Sequence, residues 1–227
     1  MAWSVILPVK AIEVGKSRLH ADRSTRIRLG SAFLSDVLAA LLSAHLVDEV
    51  IVVGDDPAVQ ALAVTAGARA IAEAAEGGLN PAASVGLRAA RPDAAVAVMV
   101  ADLPCLTGPD VDLVLAQASR YPASFVCDAA GTGTTMLMAE RAGLCRPQFG
   151  ERSRARHAHT GYVELSERID LEPGLPERAA AFTRARRDVD TEVDLCDAIR
   201  IGVGPATAAA LRGTRGPADA GVASRSD

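Results

Sequence analysis

Six apolar residues, Val96 to Ala101, end at Asp102 and a Leu103-Pro104 step, and this boundary constrains the chain more than any other part of it. A short apolar run bounded by an acid and a proline reads as a strand buried on both faces, as in a parallel sheet. Ligands of open α/β sheets bind beyond the carboxyl ends of such strands, so a lone carboxylate there is a metal-ligand candidate. Taken alone, Asp102 could equally be a turn or helix-capping acid. Far down the chain, Arg187-Asp188-Val189-Asp190-Thr191 carries two more carboxylates at alternate positions, and an extended segment points both to one side. Asp102, Asp188 and Asp190 together are hard oxygen donors of the kind Mg²⁺ takes alongside substrate phosphates.

The composition narrows the architecture. Apolar residues make up 49% of the 227 but aromatics only 3%, so the core is built from Ala, Val, Leu and Ile. Such a core suits helices packed on a parallel sheet better than a β-sandwich. The expected strands are Trp3 to Pro8, Glu49 to Val53, Ala68 to Ala72, Val96 to Ala101 and Ser124 to Asp128. Between them the spacing predicts helices over Ser24–His45, Ala58–Ala66, Ala82–Ala90 and Gly108–Ala118, with Pro81 at the first helical position of the third. Alternation of this kind gives a right-handed parallel sheet. The second half reads as a less regular extension, with a basic helical turn over Arg152–His159 and a closing helix over Glu192–Ile201. The chain is expected to form one domain over 1–212, with a disordered Gly-, Ala- and Ser-rich tail over 213–227.

A formal net charge of −4 gives no reason to expect a nucleic-acid partner, while local basic clusters suit small anionic ligands. Cys105, Cys127, Cys145 and Cys196 are irregularly spaced and read as reduced, semi-buried small residues. The apolar start is too short for a signal peptide and no segment approaches a membrane span, so the expected location is the cytoplasm.

Several segments carry chemistry. Gly15-Lys16-Ser17 is the tail of a phosphate-binding loop, but the first glycine of that pattern falls on Lys10, so the usual cradle does not form. Lys10, Lys16 and Arg18 nevertheless all lie just past the first strand, at the binding edge, and suit phosphate contacts. Gly131-Thr132-Gly133-Thr134 is either a plain hairpin turn or a row of N–H groups that holds an anion. Gly150 and Ser153, among Arg152, Arg154 and Arg156, form a second small-plus-basic cluster. His157 and His159 lie in the same basic stretch and read as surface residues. Asn80, beside Gly77-Gly78, is a candidate base or ribose contact, or a helix-leading turn residue.

The run P-V-K-A-I-E-V-G-K-S-R-L, the strand end A-D-L-P, the turn G-T-G-T, the segment F-G-E-R-S-R-A-R-H and the closing R-D-V-D-T-E-V-D-L resemble, in that order, the guanylyltransferases of deazaflavin coenzyme F-420 biosynthesis. The resemblance covers nearly the whole chain apart from the tail. It implies a Rossmann-like nucleotidyltransferase fold of the nucleotide-diphospho-sugar transferase type, a mostly parallel α/β sheet with helices on both faces. It also implies an enzyme that joins GMP from GTP to phosphoenolpyruvate or 2-phospho-L-lactate, with Mg²⁺ on Asp102, Asp188 and Asp190. Thr134, Gly150 and Ser153 would hold the acceptor's carboxylate and phosphate, and Lys10, Lys16 and Arg18 would serve the triphosphate with Asp102 as catalytic residues. The family often has glycine where this chain has Ala101, next to Asp102. The Ala- and Arg-rich composition resembles high-GC bacterial members, for which phosphoenolpyruvate is the expected acceptor. Two rivals remain: a nucleotidyltransferase acting on a sugar phosphate, and a nucleotide-binding protein without turnover.

Overall fold

The computed structural model describes residues 2–10, 19, 21–72, 78–166 and 176–213. Lys16, Arg18, the Gly15-Lys16-Ser17 run, Gly77 and the expected tail beyond Gly213 lie outside the described residues.

Seven strands form one sheet in the order β3-β2-β1-β4-β6-β5-β7. They are β1 (Trp3–Pro8), β2 (Val47–Val53), β3 (Arg69–Ile71), β4 (Ala95–Met99), β5 (Ala123–Cys127), β6 (Thr134–Ala139) and β7 (Val163–Glu164). The pairs β1/β2, β2/β3, β1/β4 and β5/β7 are parallel, whereas β6 runs antiparallel to both β4 and β5. The reversed β6 is the hairpin return of β5. All six of its residues are buried, so its sequence shows an apolar run and no direction.

The helices are α1 (Arg23–Ser43), α2 (Pro57–Ala66), α3 (Leu79–Ala89), α4 (Gly108–Ala118), α5 (Ser153–His159), α6 (Pro176–Arg186), α7 (Glu192–Ile201) and α8 (Pro205–Arg212). Local chemistry sets several ends. Asp22 accepts from the Thr25 amide at 2.9 Å to start α1; Asp56 and Pro57 start α2, and Gly67, at φ 101°, ends it. Helix α3 begins at Leu79, earlier than the apolar spacing indicates, so Pro81 is its third residue and not its first. A proline is tolerated there because first-turn N–H groups have no intrahelical partner.

Both sheet faces are covered. On one, Val5, Leu7, Val50, Val52, Ala97 and Met99 pack with α1, α2, α4 and α6. On the other, Ile6, Ile51, Val53, Val96 and Val98 meet α3 and the aromatic residues Phe149 and Tyr162. Helix α3 approaches β1 so closely that a Cβ at Gly86 would overlap the Ile6 side chain. A third cluster joins Phe33 of α1 with Val189, Ala198 of α7 and Ala210 of α8. Asp36, 4% exposed on α1, ties this end down by accepting from the Ala206 and Thr207 amides at 2.9 Å each. Cys105, Cys127 and Cys145 are buried free thiols and Cys196 is exposed. No helix among the described residues is long and apolar enough to cross a membrane.

Candidate active site

Neighbouring strands β1 and β4 are parallel, and their connections leave toward opposite edges of the sheet. A crevice forms outside the carboxyl ends at such a switch point. Lys10 stands exposed just past β1 and Asp102 half-buried just past β4, on the two sides of this crevice. Two backbone bonds bring distant segments to it. The Val100 amide donates to the Thr135 carbonyl at 3.0 Å, setting the start of β6 beside the end of β4, and the Val189 amide donates to the Asp102 carbonyl at 3.1 Å.

Through the second bond, the acids of Asp188-Val189-Asp190 reach Asp102. Val189 is fully buried in the third apolar cluster, which leaves the flanking carboxylates for the other side, as alternation in an extended segment requires. Asp188 is half-buried, and its carboxyl is pushed up to about 7, first by burial and then by the negative charges of Asp102, Asp190 and Asp128. Asp190 is exposed. Among the described residues no three His, Cys, Asp or Glu side chains close into a metal cage by themselves. An acid whose pKa is raised by burial and by like charges fits a Mg²⁺ site that takes one or two carboxylates and draws its other ligands from phosphate oxygens and water.

The Gly131–Thr134 turn joins β5 to β6, with Gly131 at φ 71°. Its amides are not presented to a ligand: Thr132 N–H donates to Asp128 Oδ1 at 2.8 Å and Gly133 N–H to Asp128 Oδ2 at 2.7 Å. The anion nest read from the glycines is therefore filled by the protein's own carboxylate. Asp128 lies one residue past β5 and Asp102 three past β4, and that position beyond a strand end is the signal that could have found it. Arg186 donates through Nε and Nη2 to the Asp128 carbonyl at 3.2 and 3.1 Å.

Helix α5 joins the turn. Its Arg154 amide donates to the Thr132 carbonyl at 3.2 Å, and the Arg154 guanidinium reaches the Gly131 carbonyl and the Glu164 carboxylate. Of the expected acceptor residues, Thr134 and Ser153 are buried, and the Ser153 amide donates at 3.1 Å to the carbonyl of Gly150, which turns the chain at φ 113°. Arg152, at φ 56°, is the one non-glycine residue at positive φ among the described residues. The outer side of α5 faces an open depression of about 650 Å³ walled in part by Gln148, Arg152, Arg156 and His159.

His159 is exposed, as a surface residue should be, but His157 is 0% exposed. The correction follows from helical spacing, which turns Ser153 and His157 to the same inward face of α5. Asn80, read as a base or ribose contact or as a helix-leading turn residue, is the second residue of α3. Its Nδ2 donates to the Phe149 carbonyl at 3.0 Å and its Oδ1 accepts from the Phe149 amide at 2.7 Å, so both ends of its amide hold the segment before Gly150.

Residues 3–172 match the family described as guanylyl transferase CofC like. The chain belongs to that family. This CofC-like chain is 42% identical over 214 residues to the phosphoenolpyruvate guanylyltransferase of Streptomyces coelicolor, covering 92% of this chain and 95% of the relative. It is 43% identical to the protein of that name from Thermomonospora curvata, over 92% of this chain and 88% of the relative. Among solved structures, a nucleotidyl transferase from Methanothermobacter superposes with a TM-score of 0.57 at 17% identity, over 93% of this chain and 99% of the other. A protein of Desulfovibrio desulfuricans G20 assigned as a nucleotide-diphospho-sugar transferase does so with a TM-score of 0.62 at 19% identity, over 94% and 96%. These likenesses establish the nucleotide-diphospho-sugar transferase fold, and family membership establishes a nucleotidyltransferase of the guanylyl type.

Proposed function

We propose that this protein transfers the guanylyl group of GTP to phosphoenolpyruvate, releasing pyrophosphate and giving enolpyruvoyl-2-diphospho-5'-guanosine for coenzyme F-420. The observation that carries the reading is the bond between Val189 N–H and Asp102 C=O, which sets two carboxylate segments together at the switch point of a guanylyl transferase sheet. Support for the acceptor comes from the names of the curated relatives.

Asp102, Asp188 and Asp190 would hold Mg²⁺, and bound Mg²⁺ would offset the repulsion between two polyanions and help pyrophosphate leave. Lys10, with Lys16 and Arg18 further along the same segment, is assigned the triphosphate by charge. The hydroxyls of Thr134 and Ser153 and the backbone at Gly150 would orient the acceptor. No side chain is needed as a base, because a phosphomonoester with a second pKa of about 6 is already largely dianionic at neutral pH. Positioning and charge then supply most of the rate.

The test is pyrophosphate release by the purified protein with GTP and Mg²⁺, run with phosphoenolpyruvate, with 2-phospho-L-lactate, with a hexose 1-phosphate and with no acceptor. Release that requires phosphoenolpyruvate supports the reading. Release only with phospholactate or the sugar phosphate replaces the acceptor, and no release with any of them, with GTP still bound, points to a binder without turnover.

A further inference from the structure

His157 stands in a cage of three rings, with centroids 5.9 Å from Phe125, 5.6 Å edge-on to Phe149 and 5.8 Å from Tyr162. Both of its ring nitrogens are engaged. The Gln148 backbone N–H, which can only donate, meets Nε2 at 3.1 Å, so Nε2 carries a lone pair. The proton of the neutral ring then resides on Nδ1, 2.9 Å from Thr134 Oγ1, and Nδ1–H donates to that oxygen. With its oxygen taken as acceptor on this side, the Thr134 hydroxyl must send its own hydrogen elsewhere.

The geometry points to His157 as a positioning residue for the acceptor: as the Nδ1–H tautomer it aims the Thr134 hydroxyl hydrogen at the acceptor anion, while Nε2 sets the Gln148-Phe149-Gly150 backbone opposite. This inference rests on the guanylyl transfer reading, in which Thr134 and Gly150 touch the acceptor. Asn80 clamps Phe149 from the α3 side, so the segment leading to Gly150 is held at two successive residues. A protonated ring would lose the Gln148 bond, since Nε2 would then also be a donor. Burial, aided by the Arg156 charge, holds the imidazole down at about 4, so the required neutral form persists at physiological pH. Tyr162 also faces the ring, and its phenol, pushed up by burial, stays neutral over the same range.

Two variants separate the two bonds. In His157→Asn the side-chain NH₂ falls near the Nδ1 position and can still serve Thr134; in His157→Gln the side-chain carbonyl falls near Nε2 and can still serve Gln148. The acceptor KM of H157Q is expected to rise about tenfold, the equivalent of one lost hydrogen bond of ~1.4 kcal/mol, with the GTP KM unchanged. H157N should recover most of that rise. ¹⁵N NMR of the ligand-free wild type, a readout independent of turnover, should show a protonated Nδ1 and an accepting Nε2. A protonated Nε2, or equal rises in the two KM values for H157Q, overturns the inference even in an active enzyme. The expected tautomer in a protein that releases no pyrophosphate with any acceptor overturns the functional reading, and the positioning role falls with it.

Discussion

Acid should destabilise this protein through one imidazole, and the size of the effect follows from His157's surroundings. The ring is fully buried and its pKa is held at about 4, whereas the unfolded chain titrates near 6.5. Below about pH 6.5 the unfolded state therefore binds a proton that the folded state refuses, so stability falls with pH until about pH 4 and is flat beneath it with respect to this group. Integrated from about pH 7.5 to 4.5, the loss is about 2.5 kcal/mol. Urea unfolding followed by circular dichroism at those two pH values, on wild type and His157→Asn, isolates the contribution, because the carboxylates common to both proteins cancel. The variant should be less stable at pH 7.5 and should lose about 2.5 kcal/mol less on acidification. Equal losses in the two proteins would refute the argument, because a buried neutral ring must leave this signature.

The acid cluster makes opposite demands on stability and activity. Asp188→Asn removes a charge that burial and three neighbouring acids oppose, so without metal at about pH 8 it should raise stability by roughly 2–4 kcal/mol in thermal unfolding while abolishing pyrophosphate release; a less stable variant would contradict the placement of Asp188 among like charges. The same wild-type shift implies that metal-free stability rises as pH falls from about 7 toward 4 as far as Asp188 is concerned, opposite in sign to His157. Asp102→Asn should eliminate turnover with the circular dichroism spectrum unchanged, and near-normal activity would overturn its role. Asp36→Ala should cost about 2 kcal/mol, since the Ala206 and Thr207 N–H groups at the start of α8 lose their acceptor, with Asp36→Asn losing about half as much. A melting temperature within error of wild type for both would show that α8 docks without it.

The parts of the fold that show in the sequence are those where one physical signal acts alone. Helices α1, α2 and α4 follow from apolar spacing and the turn residues between elements; the central strands follow from Val- and Ala-rich runs. Helix α6 escapes notice because Pro176–Arg186 has only Ala181, Phe182 and Ala185 buried and carries four charged residues, Glu177, Arg178, Arg184 and Arg186. The reversed direction of β6 is fixed by the hairpin at Gly131 and not by the strand. At the site, Asp102, Asp188 and Asp190 are legible because position at a strand end and alternation survive in one dimension. The use of Asn80 is not, since its partner Phe149 lies 69 residues away. His157 is hidden by the arginines around it, whose charge suggests a surface that only the inward face of α5 contradicts.

Among the described residues, the arginines beside Asp188 in sequence leave its repulsion unrelieved. Arg184, Arg186 and Arg187 adjoin Asp188 in sequence, and each is directed elsewhere. Arg184 forks onto Asp110, which is 2% exposed and caps α4; Arg186 forks onto the Asp128 carbonyl; Arg187 pairs with Asp194 and Asp197 of α7. Asp128 itself is satisfied by two turn amides, yet its charge still acts on Asp188. Any of these guanidiniums turned toward Asp188 would lower its pKa; none does, and the carboxyl is raised. Three cations are thus spent on fixing the loops while an adjacent carboxyl is left under repulsion, which costs stability and is sustained only by the packing around it. Charge brought from outside would relieve the repulsion, and in the proposed reaction that charge is Mg²⁺ entering together with the nucleotide triphosphate. On that reading, metal and nucleotide would bind as a pair more tightly than either one alone.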